Sequence, residues 1–401
     1  MDMAAYRQDF PTMRAGKGVY LDSACQALRP DSVIAAVNEY YTQCPACGER
    51  SVHWMSNMVS VRVDEAREAL CRFFDGADPS SFIFTRNTTE GLNTVAFGSG
   101  LKKGDAVVTG DAEHNSNYVP WLTLRDSAGL KIRLSRSGPS GIFDLESLKA
   151  AMNHDVKLVA IGQCSNVTGC VVPIKDIAEI AHDWGARILV DGAQGAPHLA
   201  TDLKKWDIDY YAASLHKMCG PSGMGFLYGK PECLRDLRPL LVGGGTVGLV
   251  TYDHVDFAPS PDRFEAGLQD YAGIFGTKAA LDYLTKVGMD NIAAHDADLM
   301  HYLFETTREV KDLVMVGPDE PVRRCGVFSF NIKGMGAHDV AMMLDSIDGI
   351  MVRSGMHCAH PFHVARGIEG SVRASVYLYN NHEDIDRFAA ALKKVAATFG
   401  D

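Results

Sequence analysis

Nowhere in this chain do about 18 uncharged apolar residues run together, so no membrane-spanning helix is expected. The first residues, MDMAAYRQDFPTMRAGKG, lack the continuous apolar core of a secretory signal. Positive charge is scarce too: 39 lysines and arginines face 50 aspartates and glutamates, a formal net charge of −11. An acidic surface repels phosphates, which argues against non-specific binding to nucleic acid or an anionic membrane. No internal repeat and no low-complexity linker is visible. The chain is expected in the cytoplasm.

What remains is the composition of an ordinary globular enzyme, 46% hydrophobic and 22% charged. With 401 residues, two domains are a more natural expectation than one core. The ten cysteines do not suit a small disulfide scaffold, because the chain is long, acidic and without a signal. Most of them are expected to be buried or free thiols.

From about Tyr20 to Gly276, short apolar runs alternate with helical patterns. Asp105 to Thr109, Lys157 to Ile161, Arg187 to Val190, Tyr210 to Ala213 and Gly225 to Tyr228 read as buried strands. Pro173 to Trp184 carries Ile174, Ile177, Ile180 and Ala181 at helical spacing, with Pro173 at its first turn. This rhythm predicts an α/β fold with a mostly parallel sheet covered by helices. Beyond about Leu281 the pattern becomes that of a smaller α+β unit. It has an amphipathic stretch over Asn291 to Glu309, a strand over Gly326 to Ile332 and a helix from Ala337. Strands follow over Ile350 to Arg353 and Ser371 to Tyr377, then a last helix from His382 to Phe399. The expected division is a large domain over 20–281 and a small domain formed by 1–19 and 282–401.

Chemistry-bearing residues gather after the strands. Ser214-Leu215-His216-Lys217 follows one directly, at the end of the sheet where open α/β folds bind ligands. A lysine amine there can form an imine with an aldehyde cofactor if its neighbours lower its pKa; a surface lysine in a glycine-rich turn is the plainer alternative. Asp191, in Val190-Asp191-Gly192-Ala193-Gln194, can pair with a protonated pyridine nitrogen or simply cap a helix. Thr88 and Thr89, in Arg86-Asn87-Thr88-Thr89-Glu90-Gly91, open a helix whose N–H groups can cup a phosphate. His114, in Glu113-His114-Asn115-Ser116-Asn117, offers an imidazole to stack on a ring, or is a structural histidine.

Taken together, these motifs resemble the fold-type I, class V aminotransferase-like enzymes that use pyridoxal 5'-phosphate (PLP), and most closely the group II cysteine desulfurases. The resemblance runs from Tyr20-Leu21-Asp22-Ser23-Ala24 to Val372-Arg373-Ala374-Ser375, through Ser165-Asn166-Val167-Thr168-Gly169 and Arg263-Phe264-Glu265-Ala266-Gly267. It implies that Lys217 carries PLP, that Asp191 pairs with its ring nitrogen and that Gln194 touches its phenolic oxygen. His114 would stack on the ring and take part in proton transfer. Thr88, Thr89, Ser214 and His216 would hold the phosphate, and Asn166, Arg353 and Arg373 the substrate. A cysteine at the position of Cys358, in Arg353-Ser354-Gly355-Met356-His357-Cys358-Ala359-His360-Pro361, attacks the sulfur of L-cysteine in that family. The resemblance therefore implies alanine and an enzyme persulfide as products, a sulfur-acceptor protein of the iron–sulfur assembly type as partner, and a homodimer.

Several alternatives stay open. A selenocysteine lyase, a cysteine-sulfinate desulfinase or another class V lyase or epimerase would share the cofactor residues; more remotely, so would a non-catalytic metal-binding protein on this scaffold. His357, Cys358, His360 and His363 cluster, but at no common zinc spacing, and no metal site is expected. Cys44-Pro45-Ala46-Cys47 is a single C-x-x-C without a second pair, and Cys25 and Cys219 receive no role. Departures from the family pattern fall at Leu268, where a phosphate-binding threonine is usual, and at Glu49, Arg50 and Met356. The Gly243-Gly244-Gly245-Thr246 loop is a candidate to complete the phosphate cup.

Overall fold

The computed structural model describes residues 3–48, 51–319 and 324–398. The departures at Glu49 and Arg50 lie outside these described residues.

Seven strands form the main sheet: β1 (Phe82–Thr85), β2 (Ala106–Gly110), β3 (Lys131–Ser135), β4 (Val156–Gly162), β5 (Arg187–Asp191), β6 (Tyr210–Ser214) and β7 (Gly225–Gly229). Their spatial order is β1-β7-β6-β5-β4-β2-β3. All pairs are parallel except those that β7 makes with β1 and β6. Every residue of β2, β6 and β7 is buried, as expected where helices cover both faces of a sheet. Five strands coincide with the apolar runs read from the sequence. The other two, β1 and β3, are the sheet's two edges. Strand β3 (KIRLS) is only partly buried and lacks a continuous apolar run, while β1 (FIFT) is only four residues long.

A second sheet contains β8 (Leu313–Met315), β9 (Val327–Ile332), β10 (Arg353–Gly355) and β11 (Ser371–Ser375), antiparallel in the order β8-β9-β11-β10. The expected strand Ile350 to Arg353 is divided here. Ile350–Met351 pairs in parallel with Val19–Tyr20, whereas Arg353 begins β10 beside β11.

Helix α1 (Thr88–Gly98) starts where Asn87, in extended backbone, accepts the N–H of Glu90 on its side chain. A Cβ on Gly91 would lie 2.9 Å from the Cβ of Ala212, so this helix sits directly on β6. Helix α2 (Ile174–Asp183) buries Ile174, Ile177, Ala178 and Ala181 against the sheet, close to the face read from the sequence. Helices α3 (Tyr271–Val287) and α4 (Met289–Thr307) are separated by Gly288 at φ +87°. Then come α5 (Ala337–Asp348), the short α6 (His360–Ala365) and α7 (His382–Ala397), which opens with a capping box between Asn381 and Asp384.

Hydrophobic packing is concentrated around each sheet. One core joins Phe82, Val108, Ile188, Tyr211 and Phe226; another joins Leu303, Phe328, Phe330, Leu344 and Phe388. The N-terminal segment touches both. Phe10 belongs to the first core, and Arg7 pairs with Asp384 of α7 at 2.7 Å. Among the described residues no helix is long and apolar enough to cross a membrane.

Candidate active site

Strands β2, β4, β5 and β6 end at Gly110, Gly162, Asp191 and Ser214. These ends and the turns after them form the floor of a cavity of about 280 Å³, and β10, β11 and the turn before α6 form its rim. Every residue singled out from the sequence lines this one cavity: Thr88, Thr89, His114, Asn166, Asp191, Gln194, Ser214, His216, Lys217, Arg353, Cys358 and Arg373.

Lys217 sits in the tight turn Leu215–Lys217 that follows β6. Burial lowers its ammonium to about 8, Arg373 pushes the same way, and Asp191, Cys25 and Cys358 oppose them. A fair fraction of the amine is thus neutral near pH 7, as a nucleophile or base requires. Asp191 accepts the Ala193 N–H on Oδ1 at 2.9 Å, and no hydrogen bond to Oδ2 occurs among the described residues. Burial raises this carboxyl, while the Ala193 bond and Lys217 hold it down.

The Nδ1 of His114 accepts the Ser116 N–H at 3.1 Å, so the neutral ring carries its proton on Nε2. Burial first, then Lys217 and Arg373, lower this imidazole to about 4. His216 is lowered to about 4 by burial, Lys217 and Arg29. At neutral pH both rings are uncharged donors.

At the start of α1 the Ser214 hydroxyl accepts the Thr88 N–H at 2.8 Å and lies 2.6 Å from Thr88 Oγ1. Ser214 thereby fixes the helix start to the end of β6. Thr89 bonds the Ser116 hydroxyl at 2.8 Å, on the more open side. The Gly243–Thr246 loop is not part of the cavity wall in the protomer. Thr246 is buried and its hydroxyl donates to the Gly243 carbonyl, while Leu268 is exposed.

At the rim, Arg373 is 2% exposed and donates from Nη1 to the Asn166 carbonyl at 3.0 Å. Burial lowers its guanidinium, and Asp22 offsets part of that. Asp22 lies between both rim arginines, 3.5 Å from Arg373 Nη2 and 3.6 Å from Arg353 Nε. The sequence reading quoted Asp22 without a role, because only the fold brings Arg353 and Arg373 to it.

Cys358 is exposed, in a turn where His357 and Cys358 adopt left-handed φ values of +49° and +56°. Three contacts hold that turn. The Asn166 amide donates to the His357 carbonyl at 2.5 Å, the Asn115 N–H donates to the Cys358 carbonyl at 2.6 Å, and the Asn115 side chain meets His360 Nδ1 at 2.8 Å. Asn115 was another quoted residue with no role assigned. His357 donates from Nε2 to the Ser371 carbonyl, and His363 bonds Ala359 and Ser371, so these rings are engaged within the protein. No group of three metal-ligating side chains occurs among the described residues. All ten cysteines are free; of the C-x-x-C pair, Cys44 is buried in the main core and Cys47 is exposed.

The residues fit a group with the chemistry of PLP. Gln194 Nε2 donates to the Ala24 carbonyl at 2.7 Å, but among the described residues its buried Oε1 has no partner, and neither has Arg373 Nε. Leaving such atoms unmatched costs about 1–3 kcal/mol each, so a polar ligand is needed to complete the wall. The cavity offers an amine for an aldehyde, a carboxylate for a ring nitrogen and a helix start for a phosphate.

Residues 19–388 match the family model described as aminotransferase class-V. The chain is 38% identical over 406 residues to a probable cysteine desulfurase of Synechocystis sp., covering 99% of this chain and 96% of that one. Two solved structures are similar throughout. An apo cysteine desulfurase from Thermococcus onnurineus has a TM-score of 0.94 at 35% identity, covering 98% of each chain. An Escherichia coli cysteine desulfurase in an S-sulfonic acid form has a TM-score of 0.91 at 32% identity, covering 99% of each.

Proposed function

This chain belongs to the aminotransferase class-V family and, within it, to the cysteine desulfurases, and we propose that it uses Lys217 and Cys358 to convert L-cysteine to L-alanine. It is an enzyme, and its cofactor is PLP. The observation that carries the residue assignment is that Lys217, Asp191, Arg373 and Cys358 line one cavity.

Bound PLP supplies an electron sink for the pair released when a Cα–H bond breaks. Asp191 would hold the ring nitrogen and keep it protonated. Thr88, Thr89, Ser214 and His216 would hold the phosphate, and Gln194 would donate to the phenolic oxygen through its second Nε2 hydrogen. Arg373 takes the substrate carboxylate with Asn166 beside it, and Arg353 closes the rim. Lys217 removes the Cα proton and holds it at Nζ for return. Cys358 Sγ then attacks the substrate sulfur: an S–S bond forms, the Cβ–S bond breaks, and its electrons and one proton complete the methyl group of alanine. Neutral His114 would orient the reacting groups through Nε2–H, and any part it takes in moving the thiol proton runs through that same nitrogen, because Nδ1 already accepts the Ser116 N–H. The balance is L-cysteine plus the Cys358 thiol giving L-alanine plus the Cys358 persulfide.

The sulfur must leave, so a thiol-bearing acceptor protein of the iron–sulfur assembly type is proposed, in the cytoplasm where thiols stay reduced. A homodimer is also proposed. Its support is the exposed apolar surface on and before the hairpin Val247–Val250/Val255–Phe257, which includes Leu241, Val242, Leu249, Val250 and Tyr252. The division into 20–281 and the remainder is also proposed; the core around Leu303, Phe328 and Phe388 supports it, whereas Phe10, Tyr283 and Tyr377 pack in the core of the main sheet.

The test is to incubate the PLP-loaded protein with L-cysteine and a reductant, and to measure alanine and sulfide. Equal amounts of both are expected. A wild-type protein that shows PLP absorbance but turns over only selenocysteine or cysteine sulfinate would overturn the substrate assignment.

A further inference from the structure

Glu113 is a buried carboxyl that the reaction above does not use. It is 8% exposed, and its Oε2 accepts both the Asn117 side-chain amide at 2.8 Å and the Gly162 N–H at 2.9 Å. Two strand ends make room for it. A Cβ on Gly110 would lie 2.6 Å from Oε1, and one on Gly162 would lie 3.2 Å from Oε2. The carboxyl is thus wedged between the ends of β2 and β4. Gly162 is also the register partner of Asp191 on the adjacent strand, so the wedge stands one strand away from the cofactor's carboxylate. Asn117 in turn donates its backbone N–H to the His114 carbonyl at 2.8 Å, closing the turn that presents the imidazole.

Asp191, on the neighbouring strand end, and Asp111 both act on Glu113 as like charges, and Glu113 has no ion pair among the described residues. An anion buried beside other carboxylates without a bonded cation is unfavourable. A neutral acid still accepts two hydrogen bonds on one oxygen. We propose that Glu113 is a positioning residue acting as a neutral acid, which ties the His114 turn to the end of β4 and leaves Asp191 to carry the charge that faces the PLP ring. Burial pushes Glu113 up to about 7, with Asp191 and Asp111 adding to that and the two hydrogen bonds opposing it, so the neutral form holds about half the population at pH 7 and dominates below it. The inference deepens the PLP reading and rests on it.

Glu113→Gln mimics the neutral acid, whereas Glu113→Ala removes the wedge. Cysteine turnover is expected to fall roughly tenfold or more in Glu113→Ala, the scale of one buried hydrogen bond, and to be rescued by Glu113→Gln. A second readout needs no cofactor: the thermal midpoint of the full chain, stripped of PLP, as a function of pH. A carboxyl raised from about 4.5 when unfolded to about 7 when folded binds its extra proton only in the folded state across that window. Its stabilisation is complete below the lower value and lost as pH rises through the upper one. Glu113→Gln has no such proton, so its midpoint relative to wild type is expected to climb between those pH values. A Gln variant as inactive as the Ala variant, with a midpoint difference that does not change with pH, would mean that Glu113 works as an anion and would overturn the proposal. If Glu113→Ala does not fold, the Gln comparison decides alone. If wild type binds no PLP, the cofactor reading fails while the midpoint comparison still reports the state of Glu113.

Discussion

The backbone N–H of Asn115 donates to the carbonyl of Cys358 at 2.6 Å, joining the turn that presents His114 to the turn that presents the thiol. With Asn166 holding the preceding carbonyl, the backbone around Cys358 is fixed from two sides. Changing only the Cys358 side chain should leave that frame intact.

Cys358→Ser is therefore expected to keep the visible spectrum of bound PLP and to lose alanine and sulfide production by at least ~100-fold. Intact-protein mass spectrometry after cysteine addition should find a persulfide on wild type and none on the variant. Full turnover in Cys358→Ser would assign the sulfur attack to another group.

Arg373→Gln removes the buried partner of Asp22 and the proposed carboxylate clamp together. A charge-assisted hydrogen bond contributes about 1.5–3 kcal/mol, so the KM for cysteine should rise roughly 10- to 100-fold. Steady-state kinetics at saturating PLP measure this. An unchanged KM with a lowered kcat would mean that Arg373 serves the reacting atoms and not the carboxylate.

His357 is buried, donates from Nε2 to Ser371, and among the described residues has no partner for Nδ1. Burial, Arg373 and His363 lower it to about 3 against the Ser371 bond. Its folded pKa lies below its unfolded value of about 6.5, so the unfolded chain binds the extra proton and stability falls on acidification. His114 and His216 act in the same direction. The thermal midpoint should drop from about pH 6.5 toward 4. His357→Asn should start lower at neutral pH, having lost its bond to Ser371, yet descend less steeply. Equal slopes would show that His357 does not carry this linkage.

Leu249→Asp places a charge on the exposed hairpin. Sedimentation of wild type is expected to give a dimer, and the variant a larger monomer fraction at equal concentration. A wild-type monomer would remove the interface from this hairpin.

The sequence is a reliable guide wherever burial alone decides structure. The strands around Val108, Ile161, Val190 and Ala213 are buried apolar runs and announce themselves, as do the catalytic residue types placed just after them. Edge strand β3 does not, because only Ser135 of its five residues is buried. The break between Ile350–Met351 and β10 is set by pairing with Val19 and Tyr20, more than 300 residues away in the chain. The same limit applies in the site. Lys217, Asp191 and Cys358 stand out through their own chemistry and that of their neighbours in sequence. Asp22 and Glu113 matter only through neighbours that folding supplies: the rim arginines for one, Gly110 and Gly162 for the other.

The paired left-handed residues His357 and Cys358 bear on where this cysteine motif can be found or moved. Left-handed backbone is disfavoured by about 1–2 kcal/mol for each non-glycine residue. The string Gly-Met-His-Cys-Ala-His therefore does not encode its own shape; Asn115, Asn166 and Ser371, from distant parts of the chain, impose it. Transplanted onto another scaffold, the peptide would relax to a right-handed or extended loop and aim its sulfur elsewhere. Searching genomes for the string alone would collect many inert look-alikes. A portable unit has to include the two asparagines and the strand that carries Ser371.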